Sequence, residues 1–519
     1  MKRELMLKSL REDKVWEVLV IGGGATGLGT AVESTTRGYD TLLLEQADFA
    51  KGTSSRSTKL VHGGVRYLQQ GDISLVLEAL HERGLIRRNA PHLFKNLAFV
   101  IPNYEWWDGP FYTIGMKVYD MMAGRFGLGP SEGITREETI DAIPNIKQEG
   151  LRGGVIYYDG QFDDARLAIS LAHTAYKNNA TILNYIKVTG LLKSDDGLVE
   201  GVKAIDIESG EEFSLKSKSV VNATGVFVDD VLSMDKSNSK QTTKASQGVH
   251  LVLDKEFMDG DSAIMIPKTD DGRVLFAVPW HGKVIVGTTD TLVESVSLEP
   301  QALEEEIKFI LKTAGEYLTR APQRSDVKSV FAGLRPLPAG DEDEDTKEIS
   351  RNHKIIVSLS GLITVTGGKW TTYRKMGQDI IDKVGLMLGE ERETITRYMP
   401  LHGYVKNFDV EDHLHVYGSD RLALLQMIED HPELGEPLDE AYPYLKAEII
   451  WAVKEEMARK IEDVLARRIR MLFLDAKTSM KIAPQVAELM AKELNKDKDW
   501  IEKEVASFNK LAAGYLLDN

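Results

Sequence analysis

The sequence contains no cysteine in 519 residues. That absence excludes a disulfide framework, a thiolate nucleophile, a redox dithiol, a cysteinyl link to a cofactor and any thiolate metal site. It fits a reducing compartment, and no metal is expected. Long apolar runs are missing as well. No stretch approaches the roughly 18 residues that a membrane-spanning helix needs, and residues 1–14 are mostly charged, so no secretory signal is expected. Basic residues are in deficit, 64 Lys and Arg against 80 Asp and Glu, for a formal net charge of −16. This balance argues against nucleic acid as a partner, because phosphate-backbone binding needs concentrated positive surface. An anionic ligand would need a locally basic pocket. Composition is otherwise ordinary for a soluble protein, 42% hydrophobic and 28% charged, and the chain is long enough for roughly two or three cores.

What is present is concentrated first in residues 18–45, VLVIGGGATGLGTAVESTTRGYDTLLLE. An apolar run enters a glycine turn, a helix-compatible segment follows, and a second apolar strand ends at an acid. This is a dinucleotide-binding fingerprint in its full context. Gly22 allows the tight turn, Gly24 lets backbone approach a pyrophosphate at Ala25 and Thr26, and Gly27 lets the helix pack close to the strand. The pyrophosphate would rest on the helix N-terminus, where N–H groups and the dipole favour negative charge. Glu45, followed by Gln46, stands where a carboxylate accepts the ribose hydroxyls. No second fingerprint appears, and a single one near the N-terminus favours FAD held as a prosthetic group over a shuttling nicotinamide.

A cationic segment follows. Thr53, Ser54, Ser55, Ser57 and Thr58 interleave with Lys51, Arg56 and Lys59, and His62-Gly63-Gly64 runs into Arg66-Tyr67. Hydroxyls and amides so close to the second strand suit contacts to pyrophosphate and flavin, and the double glycine lets the chain pass near a planar ring. A solvated polar loop is the plainer reading of the serine run alone, and a structural histidine the plainer reading of His62 alone.

The segment GTSSRSTKLVHGGVRYL closely resembles the FAD-dependent, respiratory, quinone-linked glycerol-3-phosphate dehydrogenase family. The resemblance extends through VVNATGVFVD (220–229), GVH (248–250), FAGLRPL (331–337) and TGGKWTTYR (366–374), and so covers essentially the whole chain. It implies an α/β fold: a Rossmann-type FAD-binding domain of the glutathione-reductase/D-amino-acid-oxidase kind, a β-rich substrate domain and an α-helical C-terminal domain. It implies oxidation of sn-glycerol 3-phosphate to dihydroxyacetone phosphate, with hydride passing from carbon-2 to FAD and electrons then to a quinone. It also implies a cytoplasmic protein, peripheral on the inner face of the cytoplasmic membrane. By the family pattern Arg66, Tyr67, His250, Arg335 and Lys369 fall in the substrate pocket. Arginine suits a phosphate dianion through its planar fork, and lysine adds a point charge. Arg335 is the cation expected nearest carbon-2. His250 and His62 are the candidate proton acceptors, because histidine titrates near neutrality; His250 is preferred, and water polarised by Arg335 stays open. Gly368, Lys369, Trp370, Thr371 and Thr372 open a helix at the pyrimidine edge of the flavin. Ala223-Thr224-Gly225 read as a strand-end turn against the cofactor, and Val188 as a backbone contact to adenine.

The FAD-binding domain is expected from residues 1–97, 166–225 and 355–388, the substrate domain from 98–165 and 226–354, and the helical domain from 389–519. The strands RVLFAVPW and KVIVGTT within 248–290 alternate as a sheet roofing the flavin would. The acidic run 341–345 reads as a solvated loop and has no assigned role. Residues 104–126, rich in Trp, Tyr, Phe and Met, have two readings: a monotopic membrane contact with a route for quinone, or a buried helix, which is preferred for most of the segment. The segment with Arg467, Arg468 and Arg470 could face anionic lipid, although Glu462 and Asp463 dilute it. A homodimer is left open. Competing functions are a glycerol-3-phosphate oxidase that uses oxygen, an amine or amino-acid oxidase of the same fold, and a non-catalytic flavoprotein. The cationic motifs disfavour the last two.

Overall fold

The structure, a computed structural model, describes residues 1–65, 72–237, 239–267, 269, 273–339 and 353–517. Val18, Leu19, Val20 and Ile21 are all buried in the strand Val15–Ile21. A strand covered on both faces carries a continuous apolar run rather than an alternating one. It pairs in parallel with Thr41–Leu44 on one side and Glu212–Asn222 on the other. Thr181–Leu183 and Ile363–Thr366 extend the parallel sheet at its two ends, and Lys354–Val357 adds an antiparallel edge. The helices Ala25–Thr36, Asp164–Lys177 and Tyr373–Leu388 share one core with this sheet. Ile21 lies beside both Leu44 and Asn222, so several strands end together at one edge. In open parallel sheets that carboxyl edge is where ligands bind.

A second sheet is built around Thr243–Asp254, which runs antiparallel to Ser329–Pro338 and to Lys283–Gly287. It continues through Leu275–Trp280, Ala263–Ile266, Phe94–Asn103 and Gly153–Phe162 to the short strand Leu60–Val61. Segment 45–64 therefore leaves the edge of the first sheet and enters the second. The register sets Ser246 opposite Arg335 and His250 opposite both Phe331 and Gly287.

The C-terminal part is helical, with Lys446–Glu456, Ala476–Leu494 and Lys498–Ala513 as its longest helices. The stretch 449–474 is not one continuous helix. Met457 and Arg470 are left-handed, and Asp463–Arg468 forms a wider π-type turn between them. The breaks turn Arg467, Arg468 and Arg470 inward, where all three are buried and ion-paired. They therefore do not face lipid. Residues 104–126 depart in the opposite sense. Helix Asp108–Ala123 buries only Met116, Tyr119 and Ala123; Trp106 is 72% exposed, Phe111 61% and Met121 81%. The preferred buried-helix reading fails because this helix has a core on one side only. Among the described residues no helix is long and apolar enough to cross a membrane.

Candidate active site

The edge of the first sheet opens onto a cavity of about 420 Å³. Gly22 turns there with φ +111°, and a Cβ on it would stand 2.6 Å from the Ala223 carbonyl oxygen. A Cβ on Gly27 would stand 1.9 Å from the Gly22 carbonyl, so helix Ala25–Thr36 reaches the strand only because position 27 has no side chain. The Ser54 hydroxyl accepts from the Ala25 N–H at 2.9 Å, and the Trp370 indole donates to the Ser54 carbonyl at 2.8 Å. Glu45 accepts from the Gly23 N–H at 2.6 Å and the Ala47 N–H at 2.8 Å. Burial raises its pKa, against those two bonds. Each carboxylate oxygen keeps a further lone pair for the cavity.

A second cavity of about 280 Å³ adjoins the first, and Thr53, Arg56, Pro336, Gly368, Lys369 and Trp370 line both. The residues singled out from the sequence divide between them. Gly22, Gly24, Ala25, Thr26, Glu45, Gln46, Ser54, Val188, Ala223, Thr224 and Gly225 line the first. Thr58, His62, Gly64, His250, Arg335 and Thr371 line the second. Gly27, Ser55, Lys59, Gly63 and Thr372 stand behind the linings. Arg66 and Tyr67 lie outside the described residues.

Arg335 and His250 approach the second cavity from neighbouring strands. The Arg335 guanidinium donates to the Thr289 carbonyl at 3.0 Å and to Thr288 Oγ1 at 2.9 Å, and lies 3.6 Å from Asp290 Oδ1. A Cβ on Gly248 would meet that guanidinium at 2.3 Å, so the glycine of GVH makes its path. His250 stacks on Phe331 with ring centroids 4.9 Å apart, and its Nε2 is 2.9 Å from Thr58 Oγ1. Its Nδ1 is buried without a partner among the described residues. Burial, then the charges of Lys59 and Arg335, hold its pKa well below the usual 6.5, so the ring is neutral near neutrality.

Segment 47–59 is clamped from behind. Asp164 accepts from the Ser57 N–H and hydroxyl, from Lys59 Nζ at 2.7 Å and from Arg470 Nη2 at 2.9 Å. Burial pushes Lys59 down to about 7, against the pull of Asp164. Asp48 accepts from Arg467 at 2.6 Å and from both Nη atoms of Arg468 at 2.8 and 3.0 Å. Burial opposes ionisation of Asp48, yet Arg468 and Arg467 hold its pKa at about 2. Arg56, buried on the border of both cavities and paired with Glu299 at 2.7 Å, was not among the expected site residues. Its place among the hydroxyls of 53–58 was a signal, but burial could not be read from it. Thr288, Thr289 and Asp290, at the end of an alternating strand, carried no such signal.

The two cavities with their glycine-lined floor fit an elongated dinucleotide beside a small anion. A family model described as FAD dependent oxidoreductase matches residues 17–374, and one for the C-terminal domain of alpha-glycerophosphate oxidase matches 363–501. Mitochondrial glycerol-3-phosphate dehydrogenase from Bos taurus is 39% identical, covering 98% of this chain and 74% of its own length. The enzyme of that name from Schizosaccharomyces pombe is 37% identical, covering 96% and 88%. The chain belongs to the FAD-dependent glycerol-3-phosphate dehydrogenase family. An X-ray structure of glycerol-3-phosphate dehydrogenase from Bacillus halodurans, complexed with FAD, superposes with a TM-score of 0.81 at 30% identity, covering 99% of this chain and 97% of that one. This member of the glycerol-3-phosphate dehydrogenase family is thus an oxidoreductase with FAD as its cofactor. Gly22, Gly24, Ala25, Thr26 and Glu45 line the first cavity and fit FAD, and at Gly22 a Cβ would stand 2.6 Å from the Ala223 carbonyl oxygen.

Proposed function

We propose that the enzyme oxidises sn-glycerol 3-phosphate to dihydroxyacetone phosphate and passes the electrons to a quinone. The observation that carries this reading is Arg335 and Lys369 lining one cavity with a neutral, buried histidine, directly beside the cofactor cavity. Arg335 and Lys369 neutralise the phosphate dianion and fix carbon-2. Arg335, oriented by Thr288 and Thr289, also stabilises charge growing on the 2-oxygen. His250 takes the hydroxyl proton. Its Nε2 lies 2.9 Å from Thr58 Oγ1, a hydroxyl that lines the same cavity. Bound FAD supplies the hydride acceptor. Lys369, on the border of both cavities, holds positive charge where reduction deposits negative charge.

Anaerobic titration of the purified protein with glycerol 3-phosphate tests the reading. Bleaching of the flavin band, with fast recovery on a short-chain quinone and slow recovery in air, is expected. Bleaching by amino acids instead would overturn the substrate. Fast recovery in air would make the enzyme an oxidase, a second reading favoured by the match of residues 363–501 to the alpha-glycerophosphate oxidase C-terminal domain.

Quinones dissolve in lipid, so the acceptor favours a protein peripheral on the inner face of the cytoplasmic membrane. The exposed Trp106, Trp107, Phe111, Ile114 and Met121 support contact through the start and outer face of helix Asp108–Ala123.

A further inference from the structure

The inner face of that helix packs behind the wall of the second cavity. Tyr119 is fully buried, and its hydroxyl makes two hydrogen bonds. It accepts from the Gly63 N–H at 2.8 Å and donates to Asp159 Oδ2 at 2.7 Å. Asp159, which lines the cavity, is held in turn by Arg83 Nη1 at 2.8 Å, and Arg83 also donates to the Phe126 carbonyl beyond the helix. A Cβ on Gly63 would stand 2.5 Å from the Tyr119 oxygen and 2.6 Å from Leu80, so position 63 is glycine to admit this hydroxyl. His62 and Gly64, the neighbours of Gly63, both line the cavity. Burial and the nearby Asp159 raise the phenol pKa well above 10, so the proton stays on Tyr119 and the donated bond persists.

We infer that Tyr119 is a positioning residue for the oxidation: its hydroxyl pins the Gly63 amide and thereby sets the 62–64 turn against the substrate. The inference rests on reading this cavity as the glycerol 3-phosphate site. Tyr119 touches neither substrate nor flavin; it acts through the backbone of the turn. Small misplacements of cavity walls cost turnover more than binding, because reaction demands closer alignment than contact.

The test uses the holoenzyme with two variants. Tyr119→Phe keeps the ring and removes the hydroxyl. Met116→Ala, on the same buried face, removes packing and keeps the hydroxyl. Amide hydrogen exchange across residues 60–65, measured without substrate, is expected to accelerate about tenfold in Tyr119→Phe, since the N–H loses its acceptor. The kcat is expected to fall about tenfold with KM within about threefold, while Met116→Ala lowers only the melting temperature. Unchanged exchange in Tyr119→Phe overturns the inference. So does equal acceleration in Met116→Ala, which would make packing the cause, and so does faster exchange with unaltered kcat. Because exchange is read without substrate, a wrong substrate assignment shows separately, as a wild-type flavin that glycerol 3-phosphate does not bleach.

Discussion

Arg335, His250 and Glu45 each do work that their immediate surroundings define. Arg335 is aimed by Thr288 and the Thr289 carbonyl across the gap left by Gly248. Arg335→Ala is expected to lower kcat/KM about a hundredfold or more in steady-state assays, since in the proposed function one group both binds phosphate and stabilises the developing charge. His250 must be neutral to accept a proton. With its pKa held well below 6.5, the neutral form persists as pH falls through the range where an ordinary histidine protonates. The pH profile of kcat/KM is therefore expected to stay level through 6.5 and to drop only in more acid solution; a midpoint at or above 6.5 would count against His250 as the base. Glu45 binds the Gly23 and Ala47 amides at the cofactor rim. Glu45→Ala is expected to purify with less flavin per protein, read from the ratio of flavin to protein absorbance.

Among the elements, the C-terminal stretch 457–474 most changes the picture. Amphipathic helices usually turn arginine outward. Here Arg467, Arg468 and Arg470 pass into Asp48 and Asp164, behind the segment that lines both cavities. Breaking a buried pair leaves a charge without compensation and costs about 3–5 kcal/mol. Arg470→Leu is expected to lose about that much in denaturant unfolding, and flavin release should come at lower denaturant than in the wild type. The second element is helix Asp108–Ala123 with its exposed apolar face. Replacing Trp107 and Phe111 by Ser is expected to reduce co-sedimentation with anionic lipid vesicles severalfold while leaving the melting temperature within about a degree, because exposed side chains contribute little to folding.

Across the whole molecule, two sheets are joined by segment 45–64, and the cavities lie where they meet. Several histidines away from the cavities are buried too. Burial holds His92 down at about 3 and His173 well below 6.5, with His173 stacked on His402 at 4.2 Å. Each ring is neutral in the fold and takes up a proton once unfolded, so below about pH 6.5 the unfolded chain binds more protons and gains on the native one. Stability is therefore fully present above 6.5 and is lost as pH falls toward the folded values, at about 1 kcal/mol per histidine per pH unit. The melting temperature of the holoenzyme is expected to fall between pH 7 and 5; an unchanged value would mean that the native state takes up protons as readily as the unfolded chain.

The strand, glycine turn, helix, strand and acid of residues 15–45 were legible because each is a local pattern: an apolar run for a doubly covered strand, a missing Cβ at a close approach, a carboxylate at a strand end. The motifs bearing Arg335, His250 and Lys369 were equally local, and the structure brings those residues together at one cavity. Which face a segment turns inward was not legible. Arg470 and Asp164 are 306 positions apart, and Tyr119 and Gly63 are 56 apart. Periodicity states that a helix has an inner face but not what lies opposite it. Thus the sequence alone determined the glycine turn with its flanking strands and helix, and which cations could meet at one cavity. Only the tertiary structure decided that the C-terminal arginines are structural, that the aromatic helix is exposed, and that a tyrosine on its far side holds the wall of the site. Those outcomes depend on contacts between distant segments, which no local spacing encodes.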